Sequence, residues 1–154
     1  MVTVTPKTVA TMRLSGSCVS HSRTDVTVRD LRTTIDEPVE RGGTNQGLTP
    51  TETLLASLLA CTNVITHKVA EKNGVRIDSM NVRLEAQLDR RGVQLMEEVD
   101  VPFAAITLYI DVATSADPQA LERVKRELGM FCPVSKVLRG CGTEVKEVWN
   151  VRAP

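Results

Sequence analysis

Four cysteines carry the chemistry open to this chain: Cys18, Cys61, Cys132 and Cys141. They lie far apart with no CxxC pair, so the closely spaced ligands of a structural zinc site are missing and no metal is expected. So few cysteines in a chain of this length are also unlike a disulfide-stapled secreted domain. In a reducing compartment all four are free thiols, and any that matter act through reactivity. Cys132 directly precedes Pro133. Proline favours the first helical position, which puts Cys132 at or beside an N-cap, where unsatisfied N–H groups and the positive helix end favour thiolate. An ordinary thiol of pKa about 8.5 is a few per cent ionised at pH 7, and a fall of about two units would leave it mostly ionised. The alternative for Cys132 is a small buried residue without chemistry. Cys61 is the reverse case, mid-helix on an apolar face, where desolvation raises a thiol's pKa and keeps it inert. It becomes a nucleophile only with a cation beside it, and Arg, always charged, is the natural one. No Arg lies within one helical turn of Cys61. The cation must come from a loop, another strand or a second subunit.

The other candidates are weaker. His67 follows Cys61 by six residues, about 120° off its helix face, which disfavours a Cys–His pair within the helix. His21 reads as a solvated polar position and Cys141, after Gly140, as a bystander. Cys18 is left open, since sequence does not say which thiol it approaches. Gly42-Gly43 lacks the Lys of a P-loop and the spacing of a dinucleotide fingerprint.

The elements that position the thiols follow from pattern. Residues 9–35 are rich in Val and Thr with broken alternation, which predicts a β-meander or hairpin. Residues 36–48, DEPVERGGTNQGL, form a loop. Thr49-Pro50-Thr51-Glu52 is a capping box, with Thr49 as N-cap and Glu52 at the third helical position. Lys72-Asn73-Gly74 supplies the stop. The helix between them is about 34 Å long at about 1.5 Å per residue, with Leu54, Leu58, Cys61 and Ile65 on one apolar face. Ala56, Ser57 and Ala60 on its flank leave room for another backbone. Val82, Leu84, Ala86 and Leu88 alternate as a strand, as do Ile106, Leu108, Ile110 and Val112. Asp117-Pro118 opens a second helix that turns Leu121, Val124 and Leu128 inward and closes at Gly129. A short third helix runs from Cys132 through Arg139 and is stopped by Gly140, and residues 143–151 form a last strand with Val145, Trp149 and Val151 on one side. Strands, long helix, two strands, two helices and a strand make an α+β domain with an antiparallel sheet.

Composition excludes several functions. The 154 residues carry 19 Lys plus Arg against 19 Asp plus Glu, a net charge of zero, which argues against nucleic acid as a partner. Aromatics are 3%, too few for base-stacking platforms or cation cages. With 42% hydrophobic and 25% charged residues, the chain suits one globular domain over 1–154. No uninterrupted apolar run approaches the roughly 20 residues that cross a bilayer, and the N-terminal stretch lacks the apolar core of a secretory signal. A soluble, cytoplasmic protein with no membrane partner is expected.

The string GGTNQGLTPTETLLASLLACTNV, the downstream FCPVSKVLRG and the closing VKEVW strand together resemble the OsmC/Ohr family, the osmotically inducible proteins C and organic hydroperoxide resistance proteins. The resemblance spans the whole chain. It implies an antiparallel sheet wrapped around a long central helix in an intertwined homodimer, with active sites at the subunit interface. It also implies thiol peroxidase chemistry on small organic hydroperoxides, with Cys61 as peroxidatic and Cys132 as resolving thiol. A dithiol reductant, a lipoyl protein or a small thiol, resets the site, and no cofactor is required. Leu54, Leu58 and Ile65 suit an organic tail. Peroxidase members carry an Arg–Glu pair that orients and charges the thiolate. Arg41, ahead of Pro50, matches the Arg of the OsmC branch, while Arg13 or Arg23 are the options on the Ohr pattern. The Glu of peroxidase members directly follows Pro; here Thr51 holds that place and Glu52 comes one later. Glu52 precedes Cys61 by nine residues, which at about 100° each sets it about 180° around the helix. Closing the capping box explains Glu52 without catalysis. A non-catalytic dimer that binds a small apolar or electrophilic ligand near these thiols is the other reading.

Overall fold

A computed structural model describes residues 8–154. Residues 1–7, part of the N-terminal stretch read for a secretory signal, lie outside the described residues. By contacts the chain divides into two compact units, one ending at Thr53 and the other Leu54–Pro154.

The first unit is built on a Val/Thr-rich meander: β1 (Ser15–Cys18), β2 (Thr24–Val28) and β3 (Leu31–Ile35), paired antiparallel in that order. Val28 pairs with Leu31 across a two-residue turn in which Arg29 takes a left-handed conformation, φ 54°. The following loop is organised by a single buried carboxylate. Asp36 is fully buried, and its Oδ2 accepts from the Thr44 N–H at 3.0 Å, the Thr44 hydroxyl at 2.5 Å and the Gln46 N–H at 3.2 Å. These bonds hold its pKa below the usual carboxylate value, the Thr44 hydroxyl contributing most. Two glycines are obligatory here. A Cβ on Gly43 would fall 1.7 Å from the Glu37 carbonyl oxygen, and one on Gly47 2.0 Å from that of Thr34. Inside the loop a 3-10 turn, Val39–Arg41, ends at Gly42 with φ 84°.

Helix α1 (Pro50–Lys72) starts at the end of the first unit and continues into the second. Its predicted capping box is present in full: the Thr49 N–H donates to Glu52 Oε2 at 2.8 Å, and the Glu52 N–H to Thr49 Oγ1 at 3.2 Å. Gly74, φ 66°, stands just past the stop. The buried line of α1 differs from the expected one. Leu58, Thr62, Thr66, Val69 and Ala70 are buried, Cys61 and Ile65 are half-buried, and Leu54 is exposed. The helix is apolar on more than one side, so periodicity alone does not say which side meets the sheet. Thr62 is accommodated inside by donating its hydroxyl to the Leu58 carbonyl at 2.8 Å. By length and a mean hydropathy of 1.2 over its most apolar stretch, α1 could cross a bilayer. Its buried side chains instead join the core of the second unit.

That unit contains β4 (Ser79–Leu88), β5 (Phe103–Ala113), α2 (Pro118–Phe131), α3 (Pro133–Gly140) and β6 (Glu144–Arg152). β4 and β5 pair antiparallel, as expected, but β6 runs parallel to β5 with Ile106 opposite Val145. Two helices intervene between β5 and β6, and this long crossover is the connection a parallel neighbour needs. Ile106, Leu108, Ile110 and Val112 of β5 are buried with Leu58, Leu128, Leu138 and Val145. α2 is N-capped by Asp117, whose carboxylate accepts from the Ala120 N–H at 3.0 Å. It does not end at Gly129 but runs on to Phe131. Gly129 serves close approach instead of termination, since a Cβ there would lie 3.0 Å from the Arg139 guanidinium.

Candidate functional site

Of the four residues singled out from the sequence, the two thiols pack into one core cluster, while Arg41 and Glu52 lie in the first unit. In the second unit the end of α2 and the start of α3 meet at Cys132, which is at once the C-cap of one helix and the N-cap of the other. Leu128 anchors this joint by accepting the Cys132 N–H at 2.9 Å. Pro133 then opens α3, as its position predicts. The Cys132 sulfur accepts the Ser135 N–H at 3.5 Å and is 1% exposed, within the core cluster that also holds Leu58 and Leu138. Cys61 of α1, half-buried, packs against the same cluster. Both thiols are free.

The N-cap geometry expected for Cys132 is present, but burial works against the thiolate which that geometry favours. The thiol is pushed up to about 11, chiefly by burial. The Ser135 N–H pulls the value down without offsetting that burial, and the Cys61 sulfur raises it further by hydrogen bonding and charge. A helix end favours an anion strongly only where solvent does not have to be surrendered to reach it. Burial thus favours the neutral thiol at Cys132, with Cys61 packed against the same cluster.

In the first unit Arg41 and Glu52 do not touch: Arg41 is ion-paired with Glu37 and Glu52 is bonded to Thr49. Arg41 Nε lies 3.1 Å from Glu37 Oε2. The Thr49 N–H, then the Thr49 hydroxyl, then the charge of Arg41 hold the Glu52 carboxyl below its usual range. Glu52 is thus a cap within the field of a guanidinium. Arg23, one of the alternatives to Arg41, is committed to Asp25 by two hydrogen bonds of 2.9 and 3.0 Å; Arg13 is exposed. A concavity of about 1000 Å³ opens in this unit, lined by Asp25, Arg32, Thr34, Gln46 and Leu48 among others, and none of the four cysteines lines it.

The remaining candidates stand apart. Cys18 and Cys141 are exposed. His67 Nδ1 lies 3.0 Å from the Asn63 carbonyl, an ordinary contact along the helix. Among the described residues no group of His, Cys, Asp and Glu is arranged to hold a metal. Sequence reasoning passed over two residues. Asp36, read as one turn-former among several, is the buried centre of the loop that carries Arg41. Ser135 is a buried hydroxyl in the first turn of α3, and only its position three residues after an N-cap could have marked it.

Comparison with known proteins agrees with this layout. The family model described as OsmC-like protein matches residues 43–147. No curated protein sequence matches. Solved structures with the same fold include an OsmC-like protein from Mycoplasma pneumoniae, 14% identical, with a TM-score of 0.77 over 92% of this chain and 97% of that one. An organic hydroperoxide resistance protein OsmC from Legionella pneumophila is 20% identical, with a TM-score of 0.69 over 94% and 100%. The organic hydroperoxide resistance protein OhrB of Bacillus subtilis is 22% identical, with a TM-score of 0.62 over 92% and 98%. With two cysteine motifs in the expected order, the expected α+β elements and a family match over most of its length, this chain belongs to the OsmC-like protein family.

Proposed function

We propose that the chain is a thiol peroxidase that reduces small organic hydroperoxides at the expense of a dithiol, working in the cytoplasm as a homodimer. The observation that carries this reading is that Cys61 packs against the core cluster that holds Cys132. The two thiols differ in the way the chemistry needs. Cys132 is buried and keeps its proton, while Cys61 is partly open to solvent. The Cys61 thiolate attacks the distal oxygen of the hydroperoxide, the O–O bond breaks, the alkoxide takes a proton and leaves as alcohol, and Cys61 is left as sulfenic acid. Cys132 then displaces hydroxide from that sulfur to form a disulfide, and an external dithiol reduces it by exchange. In this reading Arg41 and Glu52 are the residues that the family resemblance offers for the Arg–Glu pair. Leu58 is fully buried and does not meet a substrate; partly open Ile65 and exposed Leu54 are the side chains left for an organic tail. Leu54 and Val64, 40% and 49% exposed on α1, are apolar surface of the kind that a second copy would cover.

The test is consumption of tert-butyl hydroperoxide with excess dihydrolipoamide. The native protein is expected to turn over repeatedly, Cys61→Ser to be inactive, and Cys132→Ser to form sulfenic acid but no intramolecular disulfide. Turnover by Cys61→Ser would reject the reading. Consumption of no more than one equivalent by the native protein would reassign the thiols to ligand binding.

A further inference from the structure

Ser135 presents a puzzle of unused chemistry. It is 3% exposed, and its Oγ has no hydrogen-bond partner among the described residues. A buried hydroxyl without a partner costs free energy, so its retention asks for a state in which it is used. Side chains on a helix lean toward the N-terminus, so the hydroxyl of this first-turn residue and Cys132 share the same end of α3. The usual partner in that direction, the backbone N–H of the N-cap residue, is already taken, because the Cys132 N–H donates to Leu128. Apart from the carbonyls of that turn, the group at that end is the Cys132 sulfur, which the hydroxyl does not bond in this structure. The Ser135 N–H already points at the Cys132 Sγ, at 3.5 Å. A neutral thiol is a weak acceptor and a thiolate a strong one, so the hydroxyl idles while Cys132 keeps its proton.

We propose that Ser135 is the donor that stabilises the Cys132 thiolate during disulfide formation, its Oγ–H joining its own N–H on the sulfur. The proposal rests on the peroxidase reading, since it takes Cys132 as the resolving thiol. Before oxidation, the Cys61 sulfur opposes ionisation of Cys132. Once Cys61 is a neutral sulfenic acid that opposition is gone, and the Ser135 hydroxyl and N–H favour the anion. The Cys132 thiolate attacks the Cys61 sulfur, the S–S bond forms as the S–O bond breaks, and the departing hydroxide takes the proton given up by Cys132 to leave as water. Cys132 and Cys61 are together oxidised to the disulfide, and Ser135 keeps its own proton throughout.

The experiment uses native protein and Ser135→Ala, each reduced and mixed with one equivalent of cumene hydroperoxide. Samples are quenched over time with dimedone to count Cys61 sulfenic acid and with iodoacetamide to count free Cys132. The alanine variant is expected to form sulfenic acid at the native rate but to close the disulfide about tenfold more slowly or worse. The pH midpoint of closure should move upward, and the melting temperature should equal or exceed the native value, since only an unpartnered hydroxyl is lost. Closure at the native rate, an unmoved pH midpoint, or a slowed closure with a lowered melting temperature would each overturn the proposal. Failure of the peroxidase reading is seen separately, as native protein that forms neither Cys61 sulfenic acid nor the Cys61–Cys132 disulfide.

Discussion

Cys132 should be the slowest of the four thiols to alkylate at neutral pH, by a margin that can be worked out. With its pKa pushed up to about 11, only about one molecule in 10⁴ carries the thiolate at pH 7, against a few per cent for a thiol at about 8.5. Since the thiolate is the reactive form, ionisation alone makes Cys132 slower by a factor on the order of 300. Its 1% exposure slows it further. The raised pKa also sets the slope: the rate should climb about tenfold per pH unit through pH 9, where an ordinary thiol has begun to level off. Each cysteine lies in its own tryptic peptide, so iodoacetamide labelling read by mass spectrometry follows all four at once. Exposed Cys18 and Cys141 serve as internal references. In Cys61→Ala the hydrogen bond and charge that hold the Cys132 proton are gone while burial, the largest cause, stays. The Cys132 curve should therefore move to lower pH without reaching that of an exposed thiol. Labelling of Cys132 at the pace of Cys141 at pH 7, or a Cys61→Ala curve identical to the native one, would refute the reasoning.

Three further outcomes concern the scaffold. Leu58→Ala removes a fully buried side chain from the cluster shared by Cys61 and Cys132, and should cost about 2–5 kcal/mol in denaturant unfolding; a loss under about 1 kcal/mol would mean the cluster does not bear on stability. Gly43→Ala forces a Cβ to 1.7 Å from the Glu37 carbonyl oxygen, a clash with backbone that should cost about 3 kcal/mol or more, whereas Gly140→Ala, with open space around it, should be tolerated; equal melting temperatures for the two would contradict the loop geometry. Asp36 and Glu52 both have depressed pKa values in the folded chain. Their contribution is complete above the unfolded carboxylate range of about 4 and is lost as pH falls through their lower folded values. Melting temperature should fall on acidification below about pH 4, and less steeply in Asp36→Asn; an unchanged slope would remove Asp36 from that role.

Local rules were legible because they are satisfied by neighbours in the chain. Thr49 and Glu52 cap one another, Asp117 caps α2, and Pro133 makes Cys132 an N-cap, all within three residues. What the sequence left unread depends on partners far along the chain. Gly129 looks like a helix stop until the Arg139 guanidinium is seen beside it. β6 looks like one more antiparallel strand until its pairing partner β5 is known. The face of α1 that is buried cannot be chosen when apolar residues lie on several sides. Cys132 shows the same limit in energetic form, because the helix end is local and its burial is not. Asp36 and Ser135 went unnoticed for a related reason: a polar residue in a turn or helix start is ordinary until it proves to be buried.

The peroxidase reading stands or falls on where the first oxidation lands. Fully reduced protein treated with one equivalent of tert-butyl hydroperoxide, alkylated and digested without reductant should yield the Gly42–Lys68 peptide cross-linked to the Glu127–Lys136 peptide, joined through Cys61 and Cys132. Cys18 and Cys141 should remain alkylated. Recovery of Cys132 as free thiol while Cys61 is unoxidised, or a disulfide that excludes either of them, would contradict it.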